Sequence, residues 1–152
     1  MSPIHIRIVN KSCNALPEYA TAGASGMDIR ANLDEPVIVK SLERVLIPTG
    51  LYIELPQGYE VQIRPRSGLA IKHGITCLNT PGTIDADYRG EIQVILVNLG
   101  REDFFIERGL RIAQMILSPI STFCWREVEQ HPHFAQNMRQ GGFGSTGRGK
   151  CS

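Results

Sequence analysis

Two carboxylates, a tyrosine and an arginine crowd the segment Asn79-Thr-Pro-Gly-Thr-Ile-Asp-Ala-Asp-Tyr-Arg-Gly-Glu91. Pro81-Gly82 marks a turn. Beyond it, Asp85 and Asp87 share one side of the chain if the segment is extended. As a bare pattern this is an acidic hairpin tip, a cation-binding loop, or a place where one carboxylate does chemistry while the other serves structure. Pro65-Arg-Ser-Gly-Leu-Ala70 is the second candidate. A strand stops there and a short helix starts, so backbone N–H groups, the Ser67 hydroxyl and Arg66 can converge on an anion; an ordinary helix start with a surface arginine is the plainer alternative.

Three further segments carry weaker signals. Thr21-Ala-Gly-Ala-Ser-Gly-Met-Asp-Ile-Arg30 sets small residues before a lone carboxylate, Asp28, and also reads as a tight turn entering a strand. Arg108-Gly-Leu-Arg-Ile-Ala-Gln-Met115 puts Arg111 and Gln114 on opposite faces of a regular strand, so a bulge or the strand start is needed before both reach one ligand. Gly141-Gly-Phe-Gly-Ser-Thr-Gly147 has the composition of a linker. Its Phe143, however, suits closure over a flat base, with Ser145, Thr146 and neighbouring amides left to hold phosphate. His131-Pro-His133 lacks the nearby ligands of a metal site, and His73 and Cys77 match no thiol-protease signature; both pairs read as structural.

The elements that must position these residues are strands. Alternation marks Ile4–Ile8, Val37–Val39, Val45–Ile47, Leu51–Leu55 and Tyr59–Arg64, the last stopped by Pro65. Ile92–Val97 reads as a strand buried on both faces, and Ile112–Leu117 and Phe123–Val128 supply two more. The one helix candidate runs from Ser67 to His73, with Ser67 placed to cap it. Fifteen glycines and nine prolines punctuate these runs at the spacing of an all-β sandwich or barrel. Residues 1–135 are expected to form that domain, and 136–152, rich in Gly, Ser, Thr and Arg, a mobile tail.

The bulk numbers narrow the function. A chain of 152 residues fits one domain, and a net charge of +1 gives no global reason to expect nucleic acid or an acidic membrane as partner. Any anion site is therefore local. No run approaches a membrane span, and no secretory signal is visible at the N-terminus. Cys13, Cys77, Cys124 and Cys151 lack zinc or redox spacing, so the expectation is reduced thiols in a cytoplasmic protein.

In order, the five segments between Ala22 and Gly147 resemble the five motifs of the homotrimeric dUTP pyrophosphatases, and the likeness covers nearly the whole chain. Pro65-Arg-Ser-Gly-Leu and Gly82-Thr-Ile-Asp-Ala-Asp-Tyr-Arg-Gly-Glu91 are the most specific. The resemblance implies a distorted β-barrel or jelly roll, three subunits, and sites at their interfaces built from all three chains. It implies Mg²⁺-dependent hydrolysis of dUTP to dUMP and pyrophosphate, which keeps uracil out of DNA and supplies dUMP for thymidylate synthesis. It assigns Asp85 to the attacking water and the 3′-hydroxyl, and the backbone from Asn79 through Gly82, Thr83 and Ile84 to the uracil edge. Tyr88 would pack under the deoxyribose, where a 2′-hydroxyl clashes. Arg66, Ser67, Gly68 and Gln114 would hold phosphates, Asp28 would act on the magnesium shell through water, and Arg111 would support the interface or the site. Phe143, with Gly144, Ser145 and Thr146, would close over the nucleotide as a lid. The family usually places an arginine five residues before that phenylalanine; Arg139 stands four before it, so the γ-phosphate falls to Arg139 or Arg148.

The nearest alternative is a dCTP deaminase. Those enzymes usually carry a second serine where Gly68 stands, followed shortly by an arginine, and Gly68-Leu-Ala-Ile-Lys72 fits the pyrophosphatase better. A non-catalytic protein that keeps the fold is the other alternative; such a protein can lose Asp85 or the tail, and both are present.

Overall fold

The computed structural model describes residues 3–128. Eleven strands and one helix make up that span. β1 (Arg7–Asn10) pairs with β5 (Leu51–Glu54), and β3 (Val37–Val39) pairs with β10 (Phe104–Ile106). A four-stranded sheet runs in the order β2 (Met27–Arg30), β11 (Arg111–Pro119), β6 (Tyr59–Arg64), β8 (Gly82–Ile84). A three-stranded sheet has β9 (Gln93–Asn98) between β4 (Arg44–Pro48) and β7 (Ile75–Cys77). Every pairing is antiparallel. The short sheets wrap one core, in which Ile29, Ile47, Ile75, Ile92, Ile106 and Ile112 are fully buried. This is the all-β domain that the alternating runs predict, and the distorted barrel or jelly roll that the resemblance implies. The compact unit ends at Ser121.

Period-2 burial explains most of the strands. In β5 and β6 the buried positions alternate, Leu51 and Ile53 in one, Val61 and Ile63 in the other. Helix α1 (Ser67–His73) begins where Pro65 stops β6 and ends at Gly74, whose φ of 69° is left-handed and whose N–H donates to Ala70 O at 3.0 Å. A Cβ there would also lie 2.6 Å from Gly100 N, so glycine is required twice over.

Three expectations need correction. The first strand is Arg7–Asn10, not Ile4–Ile8: its partner β5 ends at Glu54, opposite Arg7, and no described residue pairs with those before it. Phe123–Val128 forms no strand, and Phe123, Trp125 and Val128 are exposed. A strand needs a neighbouring edge for its N–H and C=O groups, and alternation alone does not supply one. Within that segment the Phe123 and Trp125 rings meet edge to face at 5.0 Å. Ser67 is not the helix cap, as set out below. The expected boundary at residue 135 lies outside the described residues. Among the described residues, no helix is long and apolar enough to cross a membrane.

Candidate active site

One edge of the four-stranded sheet gathers an ion cluster. Register places Asp28 on β2 opposite Gln114 on β11, and Gln114 opposite Arg64 at the end of β6. Asp28 accepts from Arg66 Nε at 3.0 Å through one carboxylate oxygen and from Arg111 Nη1 at 3.3 Å through the other. Arg66 Nη1 also donates to the Arg111 carbonyl at 3.2 Å. Two guanidinium groups against one carboxylate leave a local excess of one positive charge. Arg66 still has N–H groups uncommitted after these bonds, in the planar fork that suits a phosphate. Both expected means of gathering are present: Arg111 opens β11, and the β11–β2 register slips between Arg111 and Ala113.

The turn after β6 completes this corner. Arg66, in extended conformation (φ −95°, ψ 128°), occupies the position before the helix, and no side chain caps it. Ser67 is already the first helical residue, one place past the position from which a side chain bonds the next N–H groups. Its hydroxyl and the exposed Gly68 therefore flank an uncapped helix start rather than sealing it. Gln114 Nε2 donates to the Pro65 carbonyl at 3.0 Å, which ties the turn to β11. Asp28, Arg66, Ser67, Gly68, Arg111 and Gln114 are thus brought to one corner.

A separate cavity of about 200 Å³ lies at the other edge of the sheet. It is lined by Asn79, Gly82, Thr83, Ile84, Asp85 and Tyr88, all predicted from sequence, and by Ile63, Glu91 and Gln93, which were not. β8 pairs with β6 through Gly82 and Ile84, which fixes the hairpin wall. Asp85 leads out of β8 into a turn closed by Tyr88 N–H to Asp85 O at 3.1 Å. No hydrogen bond or ion pair to another described residue engages its carboxylate, which is exposed. Asp87 is exposed as well, but it does not line the cavity. Tyr88 donates to the Glu91 carbonyl at 2.8 Å.

The two groups of residues are apart within one chain. From Asp28 to Ile84 the sheet crosses three strand spacings of about 4.8 Å and shifts three residues of about 3.3 Å along β6, a separation of about 17 Å. Asp85 lies one residue farther on. The carboxylate cavity and the arginine corner are therefore separate places within one chain.

Arg139, Phe143, Gly144, Ser145, Thr146 and Arg148 lie outside the described residues, as do His131 and His133. His73 packs against the Phe104 ring at 5.1 Å, and Cys77 is buried in the core, where desolvation raises its thiol from 9.0 to about 11. Among the described residues no group of three or more His, Cys, Asp or Glu side chains could enclose a metal. Asp28 has both oxygens engaged by guanidinium groups, but a carboxylate accepts about four hydrogen bonds. Its remaining lone pairs suit a water of an ion's hydration shell, so the donor set fits Mg²⁺ held mainly by a nucleotide's phosphates.

Known proteins resemble this chain along nearly its whole length. The dUTPase family model matches residues 13–147. The deoxyuridine 5'-triphosphate nucleotidohydrolase of Rhizobium meliloti (strain 1021) is 60% identical over 134 residues, covering 87% of this chain and 82% of that protein. The protein of the same name from Fusobacterium nucleatum is 50% identical over 97% of this chain and 100% of its own length. Among solved structures, the Staphylococcus bacteriophage 80alpha dUTPase with dUPNHPP superposes with a TM-score of 0.79 at 27% identity, over 95% of this chain and 99% of that one. With the family model spanning most of its length and relatives this similar, the chain belongs to the dUTPase family.

Proposed function

We propose that this chain hydrolyses dUTP to dUMP and pyrophosphate by attack of water on the α-phosphorus, with Asp85 as the base. One observation carries the reading: Asn79, Gly82, Thr83, Ile84, Asp85 and Tyr88 line a single cavity in which the Asp85 carboxylate is unengaged by any described residue. Its relatives bear the name of that activity. The hairpin backbone from Asn79 to Ile84 reads the uracil edge, and Tyr88 stacks below the deoxyribose, where a ribose 2′-hydroxyl would collide. Asp85 orients the water, takes its proton and leaves pyrophosphate as the departing group. General-base assistance contributes about 10²–10⁴-fold, and holding the triphosphate in line supplies much of the rest.

Arg66, Ser67, Gly68 and Gln114 receive the phosphates, and Asp28 accepts from a water of the metal shell while holding Arg66 and Arg111. Bound with the substrate, Mg²⁺ supplies neutralisation of the triphosphate charge. Residues 136–152 act as a lid beyond the barrel domain, with Phe143 over the base, Gly144, Ser145 and Thr146 on the phosphates, and Arg139 or Arg148 on the γ-phosphate. The two half-sites sit about 17 Å apart in one chain, so a complete site needs Asp85 from one copy and Arg66 from another. That supports sites shared between copies, and the family resemblance gives the number of copies as three. Neither nucleic acid nor membrane is part of this reading, and a cytoplasmic enzyme acting on a free nucleotide accords with it.

Asp85→Asn tests the chemistry. The amide keeps the shape of the side chain but cannot take the proton, so turnover should fall at least about 10²-fold while nucleotide binding persists. Full activity would remove Asp85 from the reaction.

A further inference from the structure

The side chain that reads the sugar must itself be held still, and the structure contains a seat for it. Tyr88 is 42% exposed, so its position is not fixed by burial in the core. Two contacts fix it instead. Its hydroxyl donates to the Glu91 carbonyl at 2.8 Å, and its ring folds back over Gly90. A Cβ on Gly90 would lie 2.6 Å from Tyr88 Cζ and 3.0 Å from Cε2, and closer still to the hydroxyl oxygen. The three atoms nearest that added carbon all belong to Tyr88. The tyrosine is the first thing that a side chain at position 90 would meet.

The acceptor end of the seat is rigid. Glu91 Oε1 takes the Gly50 N–H at 2.7 Å, the buried Thr49 hydroxyl donates to Ile92 O at 2.6 Å, and Ile92 N–H donates to Leu51 O at 2.8 Å. Three bonds therefore pin Glu91 and Ile92 to the Thr49–Leu51 turn. That turn has no freedom of its own: Gly50 has a φ of 70°, and a Cβ there would meet Ser12 N and Cβ at 2.8 Å. The Glu91 carbonyl is thus a fixed point, set from the core, onto which the Tyr88 hydroxyl docks.

We propose that Gly90 and Glu91 are positioning residues for sugar discrimination, holding Tyr88 at the height where a 2′-hydroxyl clashes. The proposal rests on the reading of Tyr88 as the group under the deoxyribose. The closest clashes of Gly90→Ala fall on the far end of a half-exposed side chain, so the ring should move before the barrel does. Displacement of about 1 Å in a positioned group is enough to cost up to about 10²-fold.

The test is the ratio of kcat/KM for dUTP over UTP, measured for the full chain, Gly90→Ala, Tyr88→Ala, the double variant and Tyr88→Phe, each with its melting temperature. Gly90→Ala should melt near the parent yet lose about tenfold or more of the ratio, and it should lose nothing further in the Tyr88→Ala background. Tyr88→Phe, which keeps the ring and removes the bond to Glu91, should lose a smaller part of the ratio; if Gly90→Ala does not fold, this variant decides, and an unchanged ratio overturns the proposal. A parental ratio in Gly90→Ala, with Tyr88→Ala relaxed, overturns the seat and leaves Tyr88 as the sugar reader. A parental ratio in Tyr88→Ala overturns both. An equal loss from Gly90→Ala with and without Tyr88 also overturns the seat, because the glycine would then act on something else.

Discussion

A site split between copies makes a quantitative prediction that a self-contained site does not. Asp28 lies on β2 at one edge of the β2-β11-β6-β8 sheet and Ile84 on β8 at the other, about 17 Å apart by strand spacing and register. Arg66, which Asp28 holds, follows the end of β6 that points away from Asp85. On the proposed reading Arg66→Ala removes the phosphate fork and Asp85→Asn the base, so either variant alone should be nearly inactive at every site. Refolded together in equal amounts, the two chains distribute at random. An intact site then needs Asp85 from a neighbour that has kept it and Arg66 from one that has kept that, each with a chance of one half. About one site in four recovers, in any closed ring with head-to-tail contacts. Pyrophosphate release from the co-refolded mixture should therefore reach about a quarter of the parent rate. The same variants, refolded apart and then mixed, should stay inactive until subunits exchange. A co-refolded mixture no more active than its parts would mean that both residues serve one site from one chain, and the two half-sites would lose their meaning.

Two other outcomes follow from particular residues. Deleting residues 141–152 removes Phe143, Ser145 and Thr146, and should cripple turnover while the barrel melts near the parent temperature; undiminished turnover would take the lid out of the account. Burial raises the Cys77 thiol from 9.0 to about 11. Between these values the unfolded chain has lost a proton that the folded chain retains, so stability should fall as pH climbs from about 9 to about 11, by up to about 3 kcal/mol. Chemical denaturation across that range should show the decline in the parent and a smaller one in Cys77→Ser; equal declines would assign it to other groups.

Much of the fold was legible because period and punctuation agreed. Tyr59–Arg64 alternates up to a proline, and the strand observed there has those limits. Ser67–His73 lies between Pro65 and Gly74, and the helix keeps those bounds. Strand geometry alone demanded a bulge or the strand start near Arg111, and Arg111 both opens β11 and borders the slip before Ala113. What sequence could not supply was the partner. β7, β8 and β10 are three residues each, and they exist because β9, β6 and β3 offer edges. Phe123–Val128 has the period but no paired edge. The site followed the same division. Asn79 to Tyr88 was readable as a unit because one hairpin and its exit turn hold it. Glu91 and Gln93 were missed because their membership depends on how the chain packs after the hairpin. The bond from Gly50 to Glu91 spans 41 residues, and neither residue marks it in sequence. Ser67 was misassigned by one position, since the N-cap is decided by the backbone angles of Arg66 and not by which residue type favours the role.

The central claim is that the Asp85 cavity selects dUTP for hydrolysis. Pyrophosphate release from dUTP, dCTP, dTTP and UTP, measured in parallel with Mg²⁺ and with a chelator, tests it most directly. Rapid release from dUTP alone, abolished by the chelator, is the predicted result. Release from none of the four, or ammonia release from dCTP in its place, would contradict it.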